Sequence, residues 1–454
     1  MNTSAAEQGA VLRDLGDGLV LRRGREEDAE PLAEFNAVVN SVTEDRDDEV
    51  YHWTLDLMSG ELPNFDASDF TIVEDTRTGA IVSTLNLISQ TWSYDGVEFA
   101  AGRIELVGTD PAYRRRGLVR AQMDVVHEWS VRRGEKVVGI TGIPWYYGQF
   151  GYELAMDHLG GRAGFKANVP RLKDEETEQF VFRKATVGDI PFLYEVYERG
   201  NRRFLVSCVR DEEMWRHELL SRSKGSPHRL AIRVIETAAG APVGLLVHTP
   251  GLGGGEMSAS VYELSPGVPW IDVTPGVVRY LERVGVAYAA REGRQAFTGY
   301  SLSLGAEHPA YEAGADLLPL RSRPYAWWVR VPDVAGFVRH IAPVLERRLS
   351  DSLGAGYTGE LKFNFIGDGM RMTFEDGRLA EAARWTPTQL DSRLGARERD
   401  ALFPALTFLK LLFGFRNLDD LEHAHPDLLV SSTRARELLK ALFPRKVSRI
   451  WGIE

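Results

Sequence analysis

The chain contains 454 residues, of which 44% are hydrophobic and 26% are charged, a composition typical of globular protein that needs no disulfide staples. Because a domain usually holds roughly 100 to 200 residues, two to four domains are expected. The formal net charge of -11 disfavours binding to nucleic acid, which requires a basic surface, and weakly favours a cationic small-molecule partner.

Cys208 is the single cysteine, so an internal disulfide is impossible and a reducing compartment is the natural interpretation. It lies in the apolar run 205–209, which indicates buried packing rather than a catalytic thiol. Residues 1–9 lack the pattern of a signal peptide, and no stretch approaches the ~18 apolar residues that a membrane span requires. We therefore predict a cytoplasmic protein with no membrane partner.

The first predicted domain contains strands, helices and then further strands. Alternating apolar residues and turn signals predict the strands, and apolar residues at helical spacing before Gly134 predict one long helix. These elements are the strands 70–74, 81–88 and 103–109, the helix 116–133 and the strand 136–141. The expected fold class is α/β, with a mixed central sheet and one helix crossing over it.

Two segments of the chain begin in a similar way. A strand-like run at 20–23 ends in two basic residues, and a loop leads to Asp28, placed where a helix cap belongs. The run 181–184 has the same ending and leads to Asp189. This faint repetition predicts two tandem domains of one fold.

The segment from about residue 350 has a different pattern. Two alternating runs, 361–365 and 370–374, flank the turn sequence 367–369 and predict a β-hairpin. One connecting helix and two helices with broad apolar faces are predicted at 335–348, 403–412 and 433–442. The third segment is therefore expected to be an α+β domain.

The stretch Val107–Arg120 places three consecutive arginines and a glycine where a strand ends and a helix begins. Cations at a helix N-terminus oppose the helix dipole, typically at a cost of ~0.3 to 1 kcal/mol each. The arrangement is favourable if a pyrophosphate binds there, held by backbone amides, by the arginines and by close approach at Gly117. A solvated basic turn is the alternative, and the Walker and dinucleotide fingerprints are absent.

Residues Arg114–Val119 resemble the coenzyme A-binding motif of the GNAT superfamily, in which Gln or Arg is followed by two residues, Gly, one residue and Gly or Ala. Val119 departs from the small final residue of that motif. Residues Tyr147–Tyr152 resemble the Tyr-Gly-Arg-Phe-Gly-Tyr signature of the enhanced intracellular survival acetyltransferases. That family combines a catalytic GNAT domain, a degenerate GNAT domain and a C-terminal domain that resembles sterol carrier protein.

The resemblance covers nearly the whole chain and implies tandem GNAT domains with mixed central sheets. The implied ranges are 18–165 for the catalytic domain, 166–334 for the degenerate domain and 335–454 for the sterol carrier protein-like α+β domain. It also implies that acetyl passes directly from acetyl-CoA to a primary amine of a small cationic acceptor, in a ternary complex and without a metal. The implied assembly is a homo-oligomer, and relatives form hexamers.

The resemblance assigns the binding of acetyl-CoA to two adjoining sets of residues. The backbone of the strand end is expected to pair with the pantetheine arm, and the turn and helix start are expected to surround the pyrophosphate. The implied cofactor-binding residues are Val107, Gly108, Thr109, Arg115, Arg116, Gly117, Leu118, Val119 and Arg120.

Tyr147 lies among several aromatic residues, a cluster typical of a packed core. The resemblance instead implies a catalytic acid. The departing thiolate, whose conjugate acid has a pKa near ~8.5, can accept a proton from a tyrosine near ~10 through a positioned hydrogen bond. With Gly314 taken as the partner of Gly151, the position that matches Tyr147 in the second repeat is Ala310. We therefore expect the second domain to be catalytically empty.

A carboxylate is expected to remove the proton of the acceptor amine, which is neutral in only about one molecule in a few thousand at pH 7. The resemblance implies the terminal carboxylate of Glu454, although relatives usually end in an aromatic or apolar residue. Trp451 and Ile453 favour a buried tail, and a frayed terminus is the alternative. The competing base is Glu105, expected by alternation on the same side as Val107, although it could simply pair with a neighbouring arginine.

The acidic run 44–49 could form a rim that attracts a cationic acceptor, although such runs are usually solvated. Two further functions stay open. One is a protein that binds coenzyme A with weak or lost catalysis, and the other is a lipid-binding protein that works through its C-terminal domain.

Overall fold

The computed structural model describes residues 7–41, 43, 45–293, 295–387 and 399–452. Its strands, in chain order, are β1 (Val11–Gly16), β2 (Leu19–Arg23), β3 (Phe70–Asp75), β4 (Ala80–Tyr94), β5 (Val97–Thr109), β6 (Val137–Ile140), β7 (Glu153–His158), β8 (Gly161–Phe165), β9 (Phe180–Lys184), β10 (Val206–Cys208), β11 (Ala231–Thr237), β12 (Pro242–His248), β13 (Glu256–Leu264), β14 (Gly299–Leu302), β15 (Leu320–Ser322), β16 (Tyr325–Arg330), β17 (Gly359–Asn364), β18 (Gly369–Glu375), β19 (Arg378–Arg384), β20 (Ala401–Leu402) and β21 (Leu429–Val430).

The helices alternate with these strands. They are α1 (Ala29–Val39), α2 (Asp48–Met58), α3 (Leu118–Arg132), α4 (Ile190–Asn201), α5 (Glu212–Leu220), α6 (Trp270–Glu292), α7 (Pro309–Ala313), α8 (Val334–His340), α9 (Ala342–Ser350), α10 (Thr407–Leu412), α11 (Leu418–Ala424) and α12 (Thr433–Leu442).

Three mixed sheets organise the described part of the chain. The first has the order β1-β2-β3-β4-β5-β6-β16-β7, and β10 pairs with the far end of β4. The second has the order β15-β8-β14-β13-β12-β11-β9, and the third has the order β19-β18-β17-β20-β21. Parallel and antiparallel pairs occur in each sheet, so the predicted α/β (α+β) class with mixed sheets is confirmed.

The predicted repeat is visible as one ion-pair arrangement that occurs twice. In the first domain the Arg22 guanidinium makes two hydrogen bonds to Asp28, at 2.6 and 2.8 Å. Its Nε donates to Glu74 at 2.8 Å. The Asp28 carboxylate also accepts from the Arg25 backbone amide at 3.0 Å, which closes the turn before α1.

The second domain reproduces this arrangement with different residues. Arg183 makes two hydrogen bonds to Asp189, at 2.8 and 2.7 Å, and its Nε donates to Glu236 at 2.7 Å. Asp189 accepts from the Thr186 amide at 2.8 Å before α4. The basic ending of each strand therefore has a structural role, because it holds the turn into the following helix.

The first two sheets exchange strands. β8 follows the first sheet in sequence, but it pairs with β14 and β15 of the second sheet. β16 follows the second sheet in sequence, but it is inserted between β6 and β7 of the first sheet. The two domains are therefore completed by each other's chain segments, and their exact sequence limits stay a prediction.

One predicted helix is divided in the structure. The segment 335–348 was expected to form a single connecting helix, but α8 ends at His340 and α9 begins at Ala342. Pro343 stands in the first turn of α9. Because proline has no backbone N–H and its ring collides with the carbonyl four residues earlier, the helix cannot pass through this position without a break.

Candidate active site

The end of β5 has an open edge. β5 pairs with the parallel strand β6 only from Ala101 to Arg103, whereas its pairing with β4 continues to Thr109. Between these limits Leu106 has a left-handed backbone, with φ of 52°, and the register against β4 shifts by one residue. Such a bulge bends a strand. The backbone at 107–109 consequently has no strand on its second side within the described residues.

Gly108 lies where another element crosses this edge. A Cβ atom at Gly108 would lie 2.5 Å from Val39 Cγ2 and 3.5 Å from Asn40 Nδ2, at the end of α1. Only a residue without a side chain permits this close approach. The end of α1 is thereby held directly over the open edge of β5.

The turn from β5 into α3 has the geometry of an anion site. The Asp110 carboxylate accepts from the Ala112 amide at 2.7 Å and starts a short 3₁₀ turn. Arg115 and Gly117 then adopt left-handed backbones, with φ of 64° and 76°, and α3 begins at Leu118. These left-handed residues delay the helix relative to the predicted start at residue 116. The first backbone amides of α3 have no partner within the helix, so they are available to an anion.

Around this turn and strand edge lies a cavity of about 710 Å³. Most of the predicted cofactor-binding residues line it, together with residues from α1 and from the loop after β6. The lining residues are Val39, Asn40, Val107, Gly108, Thr109, Tyr113, Arg114, Arg115, Gly117, Leu118, Val119, Arg120, Ile143, Tyr146, Gln149 and Phe150.

Two predicted residues are absent from the cavity wall. The Arg116 guanidinium instead lies over the Tyr113 ring, 5.0 Å from its centroid. Tyr147 is 3% exposed and packs against its neighbour Tyr146, whose ring centroid is 5.3 Å away. Arg120 does line the cavity, and it donates to Gln149 at 2.8 Å.

Tyr147 is surrounded by aromatic rings. Besides Tyr146, its neighbours include Tyr152 and Trp328, both with ring centroids 6.3 Å away. Burial raises the pKa of the Tyr147 hydroxyl, and the nearby charge of Glu105 adds to that rise. Tyr147 therefore remains protonated at neutral pH, as a proton donor must.

Trp328 belongs to the neighbourhood of Tyr147 but was not identified from the sequence. It lies on β16, about 180 residues further along the chain, and reaches this place through the exchanged strand. The aromatic run of β16 was the one available signal, but it indicates only a buried strand. Its position beside Tyr147 depends on the sheet order.

Glu105 makes an ion pair with Arg103, whose Nε lies 2.5 Å from Glu105 Oε1. The Arg103 guanidinium in turn lies over the Trp327 ring, 5.0 Å from its centroid. The expected pairing of Glu105 with a neighbouring arginine is present, and the same carboxylate is close enough to raise the pKa of Tyr147. Simple alternation does not relate Glu105 to Val107, because the left-handed Leu106 stands between them.

The described part of the C-terminal tail is anchored against the second domain. The guanidinium of the fully buried Arg210 lies 3.5 Å from the Trp451 ring centroid and donates to the carbonyls of Trp451 and Gly452, the latter at 2.7 Å. The backbone of Arg449 forms an isolated parallel β-bridge with Ser207, which lies in β10, the strand that pairs with β4. The segment up to Gly452 is thus held, while the predicted base Glu454 lies outside the described residues.

The corresponding position in the second domain, Ala310, is buried in the first turn of α7. It offers no proton donor.

In the acidic run, Asp47 caps α2 by accepting from the amides of Glu49 and Val50 at 3.0 and 3.2 Å. Arg46 pairs with Glu34 and Asp48, so the described part of the run is engaged in local contacts.

Cys208 is fully buried, and burial raises the pKa of its thiol to about 11. It is therefore a protonated packing residue, as predicted.

Within the residues that the structure describes, no group of three or more His, Cys, Asp or Glu side chains is arranged to hold a metal ion. In the same residues, every helix is too short or too polar to cross a membrane.

The part of the chain that forms this site matches a known family. The model of the family described as Acetyltransferase (GNAT) domain matches residues 22–155, which include the open edge of β5, the turn and α3. This stretch is a GNAT acetyltransferase domain. No curated protein shows significant sequence similarity to the chain.

Several solved structures share the fold over almost the whole chain. A GCN5-related N-acetyltransferase from Anabaena variabilis is 12% identical, with a TM-score of 0.63 over 95% of this chain and 99% of its own. One from Kribbella flavida is 15% identical, with a TM-score of 0.61 over 96% and 98%. Eis1 from Mycobacterium abscessus is 14% identical, with a TM-score of 0.57 over 95% and 98%.

These likenesses show the fold, two GNAT-like domains followed by a further α+β domain. The acetyltransferase domain that the sequence predicted is shown by the family model, over residues 22–155. The roles of individual residues in the cavity stay predictions, because a shared fold at this level of identity does not assign them.

Proposed function

We propose that the protein is an N-acetyltransferase that moves an acetyl group from acetyl-CoA to a primary amine of a small cationic acceptor, by direct transfer in a ternary complex. The observation that carries the proposal is the cavity that joins the open edge at 107–109 to the left-handed turn before α3. A strand edge can pair with the amides of pantetheine, and a helix start with adjacent arginines can hold a pyrophosphate.

In the proposed reaction Tyr147 donates its proton to the departing thiolate of coenzyme A. The hydroxyl is protonated at neutral pH, and a hydrogen bond from it can stabilise the charge that develops on the sulfur. Tyr146 lines the cavity and its ring centroid is 5.3 Å from that of Tyr147, so we propose that the Tyr147 hydroxyl reaches the thioester from beside Tyr146 when acetyl-CoA is bound.

Two carboxylates are candidates for the base that accepts the amine proton. The main-chain carboxylate of Glu454 is the first candidate, and the anchoring of Trp451 and Gly452 by Arg210 supports an ordered tail. Glu105 is the second, because it is close enough to influence Tyr147, but its carboxylate is engaged in an ion pair with Arg103.

A truncation distinguishes the two bases. If Glu454 is the base, removal of Ile453 and Glu454 abolishes most turnover with unchanged coenzyme A binding, while Glu105→Gln retains activity. The opposite result assigns the base to Glu105. The shortened chain ends in a carboxylate at Gly452, two residues earlier, and keeps the residues that Arg210 contacts, so the truncation separates displacement of the terminal carboxylate from loss of the anchor.

The remaining features of the proposal concern the whole protein. We propose a homo-oligomer in the cytoplasm, a second domain with an architectural role and a third domain of the sterol carrier protein type. A cavity of about 550 Å³ in that domain, lined by apolar residues such as Phe365, Phe408 and Leu409, favours lipid binding as a second function. Mass spectrometry of lipids that copurify with the native protein tests this second function.

The main experiment follows thiol release from acetyl-CoA in the presence of aminoglycosides, polyamines, lysine peptides and arylamines. Amine-dependent release together with an acetylated product supports the proposal. Coenzyme A binding without release for any acceptor would instead indicate a binding protein with lost catalysis. If coenzyme A does not bind at all, the assignment of the cavity is wrong.

A further inference from the structure

We infer that Gln122 is a positioning residue that fixes the spacing between the two halves of the candidate coenzyme A cavity. One half is the open edge of β5, and the other is the start of α3. Gln122 lies on α3, is completely buried and does not line the cavity. The inference rests on the proposed binding of coenzyme A, and it adds a residue that neither the motif nor the cavity wall contains.

The Gln122 amide contacts three different elements. Its Nε2 donates to Ser83 Oγ on β4 at 2.7 Å and approaches the Leu118 carbonyl, in the first turn of α3, at 3.5 Å. Its Oε1 accepts from Thr71 Oγ1 on β3 at 3.0 Å. The side chain therefore joins the helix start to two strands of the sheet below it.

Ser83 extends these contacts to the other half of the cavity. Its hydroxyl donates to the Gly108 carbonyl at 2.9 Å, and it lies 2.8 Å from Thr109 Oγ1, which can donate to it. A serine hydroxyl has one hydrogen to donate and two lone pairs. With Gln122 and Thr109 as donors and Gly108 as acceptor, all three are used. The Ser83 hydroxyl is thereby fully hydrogen-bonded, whereas the single Thr71 hydrogen lies within reach of two acceptors, Gln122 Oε1 and the Leu85 carbonyl at 3.1 Å.

The two ends of this network are parts of the cavity wall. Gly108 and Thr109 form the strand edge, and Leu118 is the first residue of α3. The pantetheine arm and the pyrophosphate of coenzyme A are joined covalently, so they can bind together only if these two parts keep a fixed separation. Apolar packing alone resists sliding poorly, whereas hydrogen bonds of a buried amide define one position, since leaving the amide unpaired is costly.

The test replaces Gln122 by methionine, which has a similar length but cannot make these hydrogen bonds. We expect Gln122→Met to raise the Kd for coenzyme A, measured by calorimetry, and the KM for acetyl-CoA by about tenfold, which corresponds to roughly 1.4 kcal/mol. The kcat at saturating acetyl-CoA and the KM for the amine should stay within about twofold, because the reacting groups are unchanged.

Ser83→Ala provides a second, smaller change, and it removes only one hydroxyl. It should weaken coenzyme A binding in the same direction, and the double variant should bind no more weakly than Gln122→Met alone, because both act through one network. A purely structural role would not give this non-additive effect on binding.

The matched control is Thr274→Val in the second domain. Thr274, on α6, is also completely buried; it shares a hydrogen bond of 3.2 Å with Tyr262 and does not line the cavity. It should lower the melting temperature without changing the Kd. If Gln122→Met and Ser83→Ala also lower only the melting temperature, the inference is wrong. If the wild-type protein does not bind coenzyme A, the proposed function fails, and the inference fails with it.

Discussion

Tyr147 and Gly108 depend on neighbours that lie far away in sequence. The ring of Tyr147 is buried partly by Trp328, and burial raises the pKa of its hydroxyl. Gly108 has no room for a side chain because Val39 lies against it. The burial of Tyr147 and the lack of a side chain at Gly108 therefore each depend on a contact with a distant residue. The role of each of these two positions can be tested by one substitution.

We expect Tyr147→Phe to reduce kcat by about 10² to 10⁴, the usual contribution of general acid catalysis, with little change in coenzyme A binding. The ring is retained, so packing against Tyr146 and Trp328 should persist. Steady-state kinetics together with calorimetry measure both effects. Tyr152→Phe serves as the control, because this change also removes a buried hydroxyl but Tyr152 does not line the cavity, and a normal kcat in Tyr147→Phe would show that Tyr147 only packs.

Gly108→Ala should weaken acetyl-CoA binding, because the new methyl group would lie 2.5 Å from Val39 Cγ2 and must displace the end of α1. Overpacking of this kind costs typically ~1 to 3 kcal/mol, so KM should rise by about tenfold or more. Adding Val39→Ala should restore much of the loss, since it removes the colliding methyl group. If the double variant binds no better than Gly108→Ala, the steric explanation is wrong.

At the scale of elements, the start of α3 shows how a locally unfavourable sequence becomes part of a site. The left-handed Arg115 and Gly117 delay the helix until Leu118, and the cluster of arginines stands at the positive end of the helix dipole. A bound pyrophosphate would turn this repulsion into attraction. The contribution of the arginine charges to acetyl-CoA binding can therefore be tested by substitution.

Replacing Arg115, which lines the cavity, and Arg116, which packs on the cavity-lining Tyr113, together by alanine should raise the KM for acetyl-CoA by about ten- to a hundredfold, since charged hydrogen bonds contribute roughly 1.5 to 3 kcal/mol. The same change should slightly stabilise the protein, because the cations no longer oppose the helix dipole. The control is Arg321→Ala with Arg323→Ala, two exposed residues with the same loss of charge. Equal KM values in the two double variants would contradict the pyrophosphate assignment.

For the whole molecule, the exchange of β8 and β16 joins the first two domains into one unfolding unit. Buried ionisable groups in either domain should then affect the stability of both. His248 is such a group, since its Nδ1 donates to the Thr249 carbonyl at 2.7 Å and its Nε2 accepts from the Tyr280 hydroxyl at 3.1 Å. Burial lowers the pKa of His248 to about 4.

The pH dependence of stability follows from this lowered pKa. Between about pH 6.5 and pH 4 the unfolded chain binds a proton at His248 that the folded protein does not, so stability falls as pH falls through this window. The slope is up to about 1.4 kcal/mol per pH unit for one such group. His127, whose pKa burial also lowers to about 4, adds to it. Melting temperatures of the wild type and His248→Gln should converge towards pH 4.5, and parallel curves would exclude the effect.

We also expect a closed homo-oligomer. The resemblance of the two motifs implies such an assembly, and a hexamer is the form that it suggests. Sedimentation velocity at micromolar concentration measures the state directly. A monomer under these conditions would contradict the expectation. The result does not depend on the assignment of the cavity, since assembly and coenzyme A binding are measured separately.

The sequence by itself determined the features that depend on neighbouring residues. The alternation of apolar residues, the hairpin around 367–369, the glycine that ends α3 and the repeated Arg-to-Asp turn follow from local backbone preferences and short-range hydrogen bonds. The cation cluster before α3 predicted a binding site for the same reason, because the cost of placing cations at a helix start is a local electrostatic effect. The resemblance of two short motifs then predicted the GNAT domain, which the family comparison confirmed.

Only the tertiary structure decided which distant segments meet. The insertion of β16 beside β6, the contact of α1 with Gly108 and the anchoring of Trp451 by Arg210 join residues separated by about 70 to 240 positions. No local pattern specifies such pairs, because their free energy comes from burial and from hydrogen bonds that exist only after the sheets have formed. The buried network of Gln122 belongs to this class. Two of its hydrogen-bond partners, Thr71 and Ser83, lie on strands that are distant in sequence from α3.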